Sequence, residues 1–116
     1  MEEKISKQTE QKLMQLQLLE QNIQSITIQK QQFSNQLLEI ENALKEVQNT
    51  DSAYKIVGNI MVLTKQKDLV DDLSQKKELA NLRIQSIEKQ EKKLREKATE
   101  LQNEVVSKLK AEKQEA

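Results

Sequence analysis

Residues 53–62 read AYKIVGNIMV, and the way this decamer folds decides how the rest of the chain is arranged. It holds the only glycine, Gly58, and the only tyrosine, Tyr54, inside a β-branched run, whereas Gln, Glu, Lys and Leu dominate either side. Tyr54 to Val57 and Ile60 to Leu63 are two short strand-like runs separated by Gly58-Asn59. Glycine at the first position of a two-residue loop suits a type II′ turn, so the stretch reads as a β-hairpin over about residues 53–64. With Val57 and Ile60 flanking the turn, Tyr54, Ile56, Met61 and Leu63 share one face and Lys55, Val57, Ile60 and Val62 the other.

Both faces are apolar apart from Lys55. A lone two-stranded hairpin is marginal in water, and one that is apolar on both sides offers an aggregation-prone edge. The expectation is that hairpins from several chains pair into a shared sheet or barrel. Tyr54, Ile56, Val57, Gly58, Ile60, Met61, Val62 and Leu63 then form an oligomerisation element. The alternative is a hairpin folded back on the adjoining helix ends, covered by Leu38, Leu69, Leu79 and Leu82.

Upstream, a strict 3,4 spacing runs through Ile5, Thr9, Lys12, Leu16, Leu19, Ile23, Ile26, Lys30, Phe33, Leu37, Ile40, Leu44 and Val47, and ten of these thirteen positions are apolar. Repetition over about six heptads is a coiled-coil signature, and it predicts a helix over about residues 4–48. The cluster QNTDS at 48–52 is rich in turn formers and ends that helix. Downstream, the series Val70, Leu73, Lys77, Ala80, Ile84, Ile87, Glu91, Leu94, Ala98, Leu101, Val105 and Lys108 is apolar at nine of twelve positions. It predicts a second helix over about 65–113, capped by Thr64 or Asp68, with Asp68, Asp71 and Asp72 near its positive end. Ala80 and Ala98 make this seam narrower, which fits close packing against a bulkier partner.

A hairpin between two helices returns the second antiparallel to the first. One register pairs Val47 with Val70, Leu44 with Leu73, Phe33 with Ile84, Ile23 with Leu94 and Leu16 with Leu101, so that paired numbers sum to 117 and the helices end flush. It also puts Lys30 one turn from Glu91. The spacing alone also allows a slip of one heptad. The predicted fold is mostly α, a long antiparallel two-helix coiled coil linked by one β-hairpin that joins an intersubunit β-barrel, within a single domain spanning 1–116.

The composition agrees with helices and argues against a compact globule. The 116 residues are 35% hydrophobic, 2% aromatic and 33% charged, with 17 Gln and no proline. So polar a chain is disordered unless periodicity intervenes, and here it does. Nineteen basic and nineteen acidic side chains give zero formal net charge, which removes the electrostatic case for nucleic acid or a membrane surface as partner. A nucleic-acid-binding coiled coil also needs a basic stripe with stacking aromatics, and this chain has one Phe and one Tyr. With no apolar run of about 18 residues and no apolar core near Met1, a soluble, cytoplasmic protein is expected.

Catalysis is not expected. The chain has no His, no Cys and one Gly, so a nucleophile lacks its base and a phosphate its cradling loop. Asp71 and Asp72 read as helix-start residues rather than acid/base partners. No metal or cofactor is expected, since the usual nitrogen and sulfur ligands of zinc are missing.

Helix, hairpin and helix, with YKIVG at 54–58 and KQEKKL at 89–94, resemble the β-class subunit of archaeal prefoldin over essentially the whole chain. The match is most specific at Tyr54, Lys55, Val57 and Gly58 and at Gln90, Glu91, Lys92, Lys93 and Leu94. One hairpin rather than two points to the β class. The resemblance implies an α2β4 hexamer, made with α-class subunits and other β copies, in which hairpins build a barrel body and coiled coils hang from it. It also implies a co-chaperone that works without ATP, holding unfolded polypeptides at the coiled-coil tips and passing them to a group II chaperonin.

The tips would be the two termini. Besides the seam residues Ile5, Leu16 and Leu19, the first helix carries Leu13, Met14 and Leu18, which an a/d seam does not require. Opposite lie Val105, Val106 and Leu109. Apolar groups beyond what one seam buries fit an adaptable client-binding patch; the alternative is a wider core. Lys108, Lys110 and Lys113 are candidates for contact with an acidic surface of the chaperonin, against the alternative of a solvated helix end. The competing reading of the whole chain is a structural coiled-coil spacer with no client. It accounts for the heptads but leaves the two-sided hairpin and the surplus apolar residues unexplained.

Overall fold

The computed structural model describes residues 6–115, with side chains described from 6 to 113. Helix α1 spans Lys7–Val47, strands β1 and β2 span Ser52–Val57 and Ile60–Lys65, and helix α2 spans Gln66–Glu115. The chain divides into two units. One holds Lys30–Ser86, including the hairpin; the other combines the segment up to Gln29 with the segment from Ile87 onward.

Without proline and with one glycine, nothing within either long segment breaks a helix. The seam follows the 3,4 spacing. From Thr9 to Val47 on α1 and from Val70 to Lys108 on α2, every position of the two series is buried or half-buried. In the Lys30–Ser86 unit the most enclosed apolar side chains are Val47, Leu69 and Ala80; in the other unit they are Ile87 and Val105. Contacts across the helices match the flush register. Lys12 meets Glu104 and Thr27 meets Glu91 in one unit, while Arg83 lies 5.5 Å from the centre of the Phe33 ring in the other.

The end of α1 is closed by side chains, because its last carbonyls have no intrahelical donors. The Thr50 hydroxyl donates to the Val47 carbonyl at 3.1 Å. The Gln66 side-chain amide donates to the Val47 and Gln48 carbonyls at 2.9 and 3.0 Å. The Gln66 backbone N–H donates to the Asp51 carbonyl at 3.0 Å, so the residue that opens α2 also ties the hairpin base shut. Lys45 in the last turn of α1 and Asp68 in the first turn of α2 complement the helix dipoles. Thr64 does not cap α2. It remains in β2, and its hydroxyl donates to the Val62 carbonyl.

The hairpin register is Ser52 with Lys65, Ala53 with Thr64, Tyr54 with Leu63, Lys55 with Val62, Ile56 with Met61 and Val57 with Ile60. Gly58 has φ of 61° and no other described residue has positive φ. Positive φ at the first loop residue but not at Asn59 is the type II′ pattern and excludes type I′.

Candidate functional site

Two places carry apolar surface that the fold leaves uncovered. The first is the hairpin. Tyr54, Ile56, Met61 and Leu63 project from one face of the sheet and Val57, Ile60 and Val62 from the other, and all seven are between 45% and 71% exposed. The folded-back alternative required Leu38, Leu79 and Leu82 to cover these side chains, yet all three are themselves exposed; only Leu69 is buried. Lys55, the one charge among the eight central positions of the hairpin, is anchored; Lys65, at its base, is exposed. The Lys55 ammonium lies 3.1 Å from Asp72 Oδ2 on α2, and Lys76 approaches the same oxygen at 3.3 Å. The hydrogen bond from Lys55, reinforced by Lys76, holds the Asp72 carboxyl below its ordinary range. One face of the hairpin is thereby pinned toward α2, and the face with Tyr54, Ile56, Met61 and Leu63 is the more exposed one.

The second place is the pair of helix ends. Of the nine residues expected at a client-binding tip, Ile5 lies outside the described residues. Leu16, Leu19 and Val105 occupy the seam, with Val105 only 3% exposed. Leu13 and Leu109 are half-buried beside it. Met14, Leu18 and Val106 are exposed, at 68%, 59% and 43%. Met14 and Leu18 are four residues apart on α1 and so share one strip of its surface. Ile28, also exposed, adds an apolar group that heptad spacing could have flagged, since it too falls off the seam.

Ala98 behaves differently from Ala80. Ala80 is buried, whereas Ala98 lines an open groove of about 780 Å³ together with Leu16, Ile23, Thr27 and Arg95. The expectation of close packing along the whole second seam therefore holds at Ala80 and fails at Ala98, where the small side chain leaves the gap open.

Polar groups near these ends are paired. The Lys12 ammonium lies 2.6 Å from Glu104 Oε2; that hydrogen bond raises the lysine pKa and lowers that of the carboxyl. Lys108 stands beside the same group, reaches Gln8 Oε1 at 3.4 Å, and is lowered by the approach of the Lys12 ammonium. Lys110 and Lys113 are exposed. Among the described residues no cluster of His, Cys, Asp or Glu is arranged to hold a metal ion, and no helix is long and apolar enough to cross a membrane.

Comparison with known proteins gives one consistent result. A family model described as "Prefoldin subunit" matches residues 10–112. The chain is 42% identical over 91 residues to prefoldin subunit beta of Archaeoglobus fulgidus, covering 76% of this chain and 78% of that one. It is 38% identical over 106 residues to the same subunit of Thermoplasma acidophilum, covering 88% and 86%. The crystal structure of the prefoldin beta subunit from Thermococcus strain KS-1 superposes with a TM-score of 0.85 at 35% identity, covering 91% of this chain and 96% of that one.

Proposed function

The chain belongs to the prefoldin subunit family, a family of co-chaperones, and on that premise we propose that it is a β-class subunit of an ATP-independent holdase. In this reading it assembles with α-class subunits and further copies of itself into an α2β4 hexamer in the cytoplasm. The assembly binds non-native polypeptides at its coiled-coil tips and delivers them to a group II chaperonin.

The observation that carries the reading is the hairpin. Seven apolar side chains stand in solvent on two faces of a sheet with only two strands, and strands from neighbouring subunits closing a barrel would bury them and pair the open edges. Fully burying a Val, Leu, Ile or Met side chain contributes about 1.5–3 kcal/mol, so covering the exposed part, about half or more, of six of them together with the Tyr54 ring gives an ample driving force for assembly. With the hairpins gathered in a body, the opposite ends of the helices remain free. Met14, Leu18 and Val106 are exposed there, as a surface for clients without fixed shape requires. Lys110 and Lys113, with Lys108 nearby, would steer this end toward an acidic chaperonin surface.

The test is capture of a chemically denatured polypeptide by the assembled protein in the absence of ATP. Suppression of light scattering at stoichiometric amounts is the expected outcome. No suppression by an intact assembly contradicts the holdase reading.

A further inference from the structure

The first turn of α1 is capped by a residue of the other helix. Ser6 precedes α1, and its Oγ accepts a hydrogen bond from the Thr9 backbone N–H at 3.2 Å. This is the N-cap to N3 bond of a capping box, in which a Glu or Gln at N3 normally reaches back to the N-cap N–H. Here N3 is Thr9, and the Ser6 N–H instead donates to Glu112 Oε1 on α2 at 3.4 Å. The Thr9 hydroxyl donates to the same oxygen at 3.0 Å. In the 2.8 Å contact between the two hydroxyls Ser6 must then be the donor. Each hydroxyl donates once, Ser6 to Thr9 and Thr9 to the carboxylate, and the Ser6 N–H and the Thr9 hydroxyl meet at the one oxygen Oε1.

Ser6 is exposed, but the group is enclosed on its Thr9 side. Thr9 is 0% exposed at a seam position, and Glu112 Oε2 is buried with no hydrogen-bond partner among the described residues. The positive end of α1 favours the carboxylate charge, and the hydrogen bonds from Ser6 and Thr9 hold the Glu112 carboxyl below its ordinary range.

We propose that Ser6, Thr9 and Glu112 form a capping box completed across the two helices, a latch that selects one helix register. The Gln66 tie at the hairpin base holds the register where α1 ends and α2 begins, but it lies about forty residues along each helix from Thr9 and Glu112. The apolar seam between cannot select by itself, because a slip of seven residues replaces each a or d position by another of the same kind. The polar residues can. After such a slip Leu16 or Glu2 would face Glu112 in place of Thr9, and Leu19 or Ile5 would face Glu104 in place of Lys12. Either alternative sets both carboxylates opposite partners that donate no hydrogen bond and leaves the Ser6 N–H uncapped, a cost the native register avoids. The order of the first turn of α1 thus depends on the last turns of α2. The register of the helix ends is set independently of what they bind.

Spin labels on cysteines introduced at Gln11 and Lys89, both exposed positions in a chain without native cysteine, report the register. The measurement uses the full chain in the assembly it forms, diluted with unlabelled chain. A one-heptad slip displaces the helices by about 10 Å. The native chain and Thr9→Ser, which keeps the hydroxyl, are expected to give one distance. The double variant Thr9→Val with Glu112→Leu, whose seam stays apolar and folded, is expected to give a second distance displaced by about that amount. In Glu112→Ala, hydrogen exchange of the first-turn amides of α1 should quicken about tenfold, the effect of losing bonds to a charged acceptor. A single unshifted distance in the double variant overturns the latch, and so does unchanged exchange in Glu112→Ala.

Discussion

Replacing Met14 and Leu18 together by Ser separates binding from folding at the helix ends. Both side chains are already largely in solvent, at 68% and 59% exposed, so their removal leaves no cavity and costs the fold roughly 0.5 kcal/mol each through helix propensity. Their contribution appears when a client covers them. Full burial of a Met or Leu is worth about 1.5–3 kcal/mol. With about two thirds of each still available and some side-chain entropy lost on contact, the pair contributes roughly 1.5–3 kcal/mol per tip. That corresponds to a tenfold or greater rise in the concentration needed to suppress aggregation. The assay is light scattering of a client diluted from denaturant, titrated with native and variant assemblies of verified mass. Leu82→Ser is the control, since Leu82 is equally exposed but lies in the unit that contains the hairpin. Suppression curves that coincide for native protein and the Met14/Leu18 variant would refute the assignment of client binding to these side chains.

Gly58→Ala isolates backbone strain, because a Cβ at Gly58 meets nothing within 4 Å while φ is +61°. The expected cost is about 1 kcal/mol, read as a lower melting temperature of the assembly with unchanged helix content. Asp72→Asn removes the acceptor of Lys55 and Lys76. A carboxyl with a depressed pKa stabilises the fold above its unfolded value of about 4 and loses that contribution as pH falls through the folded value. The stability difference between native protein and Asp72→Asn, below about 1 kcal/mol at pH 7 for so exposed a pair, should therefore vanish in acid, as thermal unfolding at several pH values will show.

The features legible in the sequence are those with a short period. Every seam position from Thr9 to Val47 and from Val70 to Lys108 follows from a 3,4 spacing, because a helix brings residues seven apart onto one line whatever the partner is. The turn at Gly58-Asn59 was readable for the same local reason, since only glycine takes positive φ there without strain. The contacts with no signal in the sequence join residues far apart in the chain. The Gln66 amide on the last carbonyls of α1, Lys55 on Asp72, and Ser6 and Thr9 on Glu112 are single polar contacts with no repeat to announce them. Leu69 is buried although it lies one residue off the seam, and neither candidate cap of α2 stands immediately before that helix, since the strand runs past Thr64 and Asp68 lies inside the first helical turn. At the helix ends, spacing identified Met14 and Leu18 as surplus to the seam. It did not distinguish them from Leu13, whose half-burial depends on the neighbouring helix.

A hairpin that gathers subunits into a body, leaving the helix ends free, fixes the mass of the complex. Native mass measurement of the purified chain, alone and co-expressed with an archaeal α-class prefoldin subunit, tests that assembly most directly. The expected mass is that of four copies of this chain with two of the α-class partner, a complex dispersed by charged replacements at Ile56 and Met61, which lie on the more exposed face of the hairpin. A monomer or simple dimer, both alone and with the partner, would contradict assembly through the hairpin.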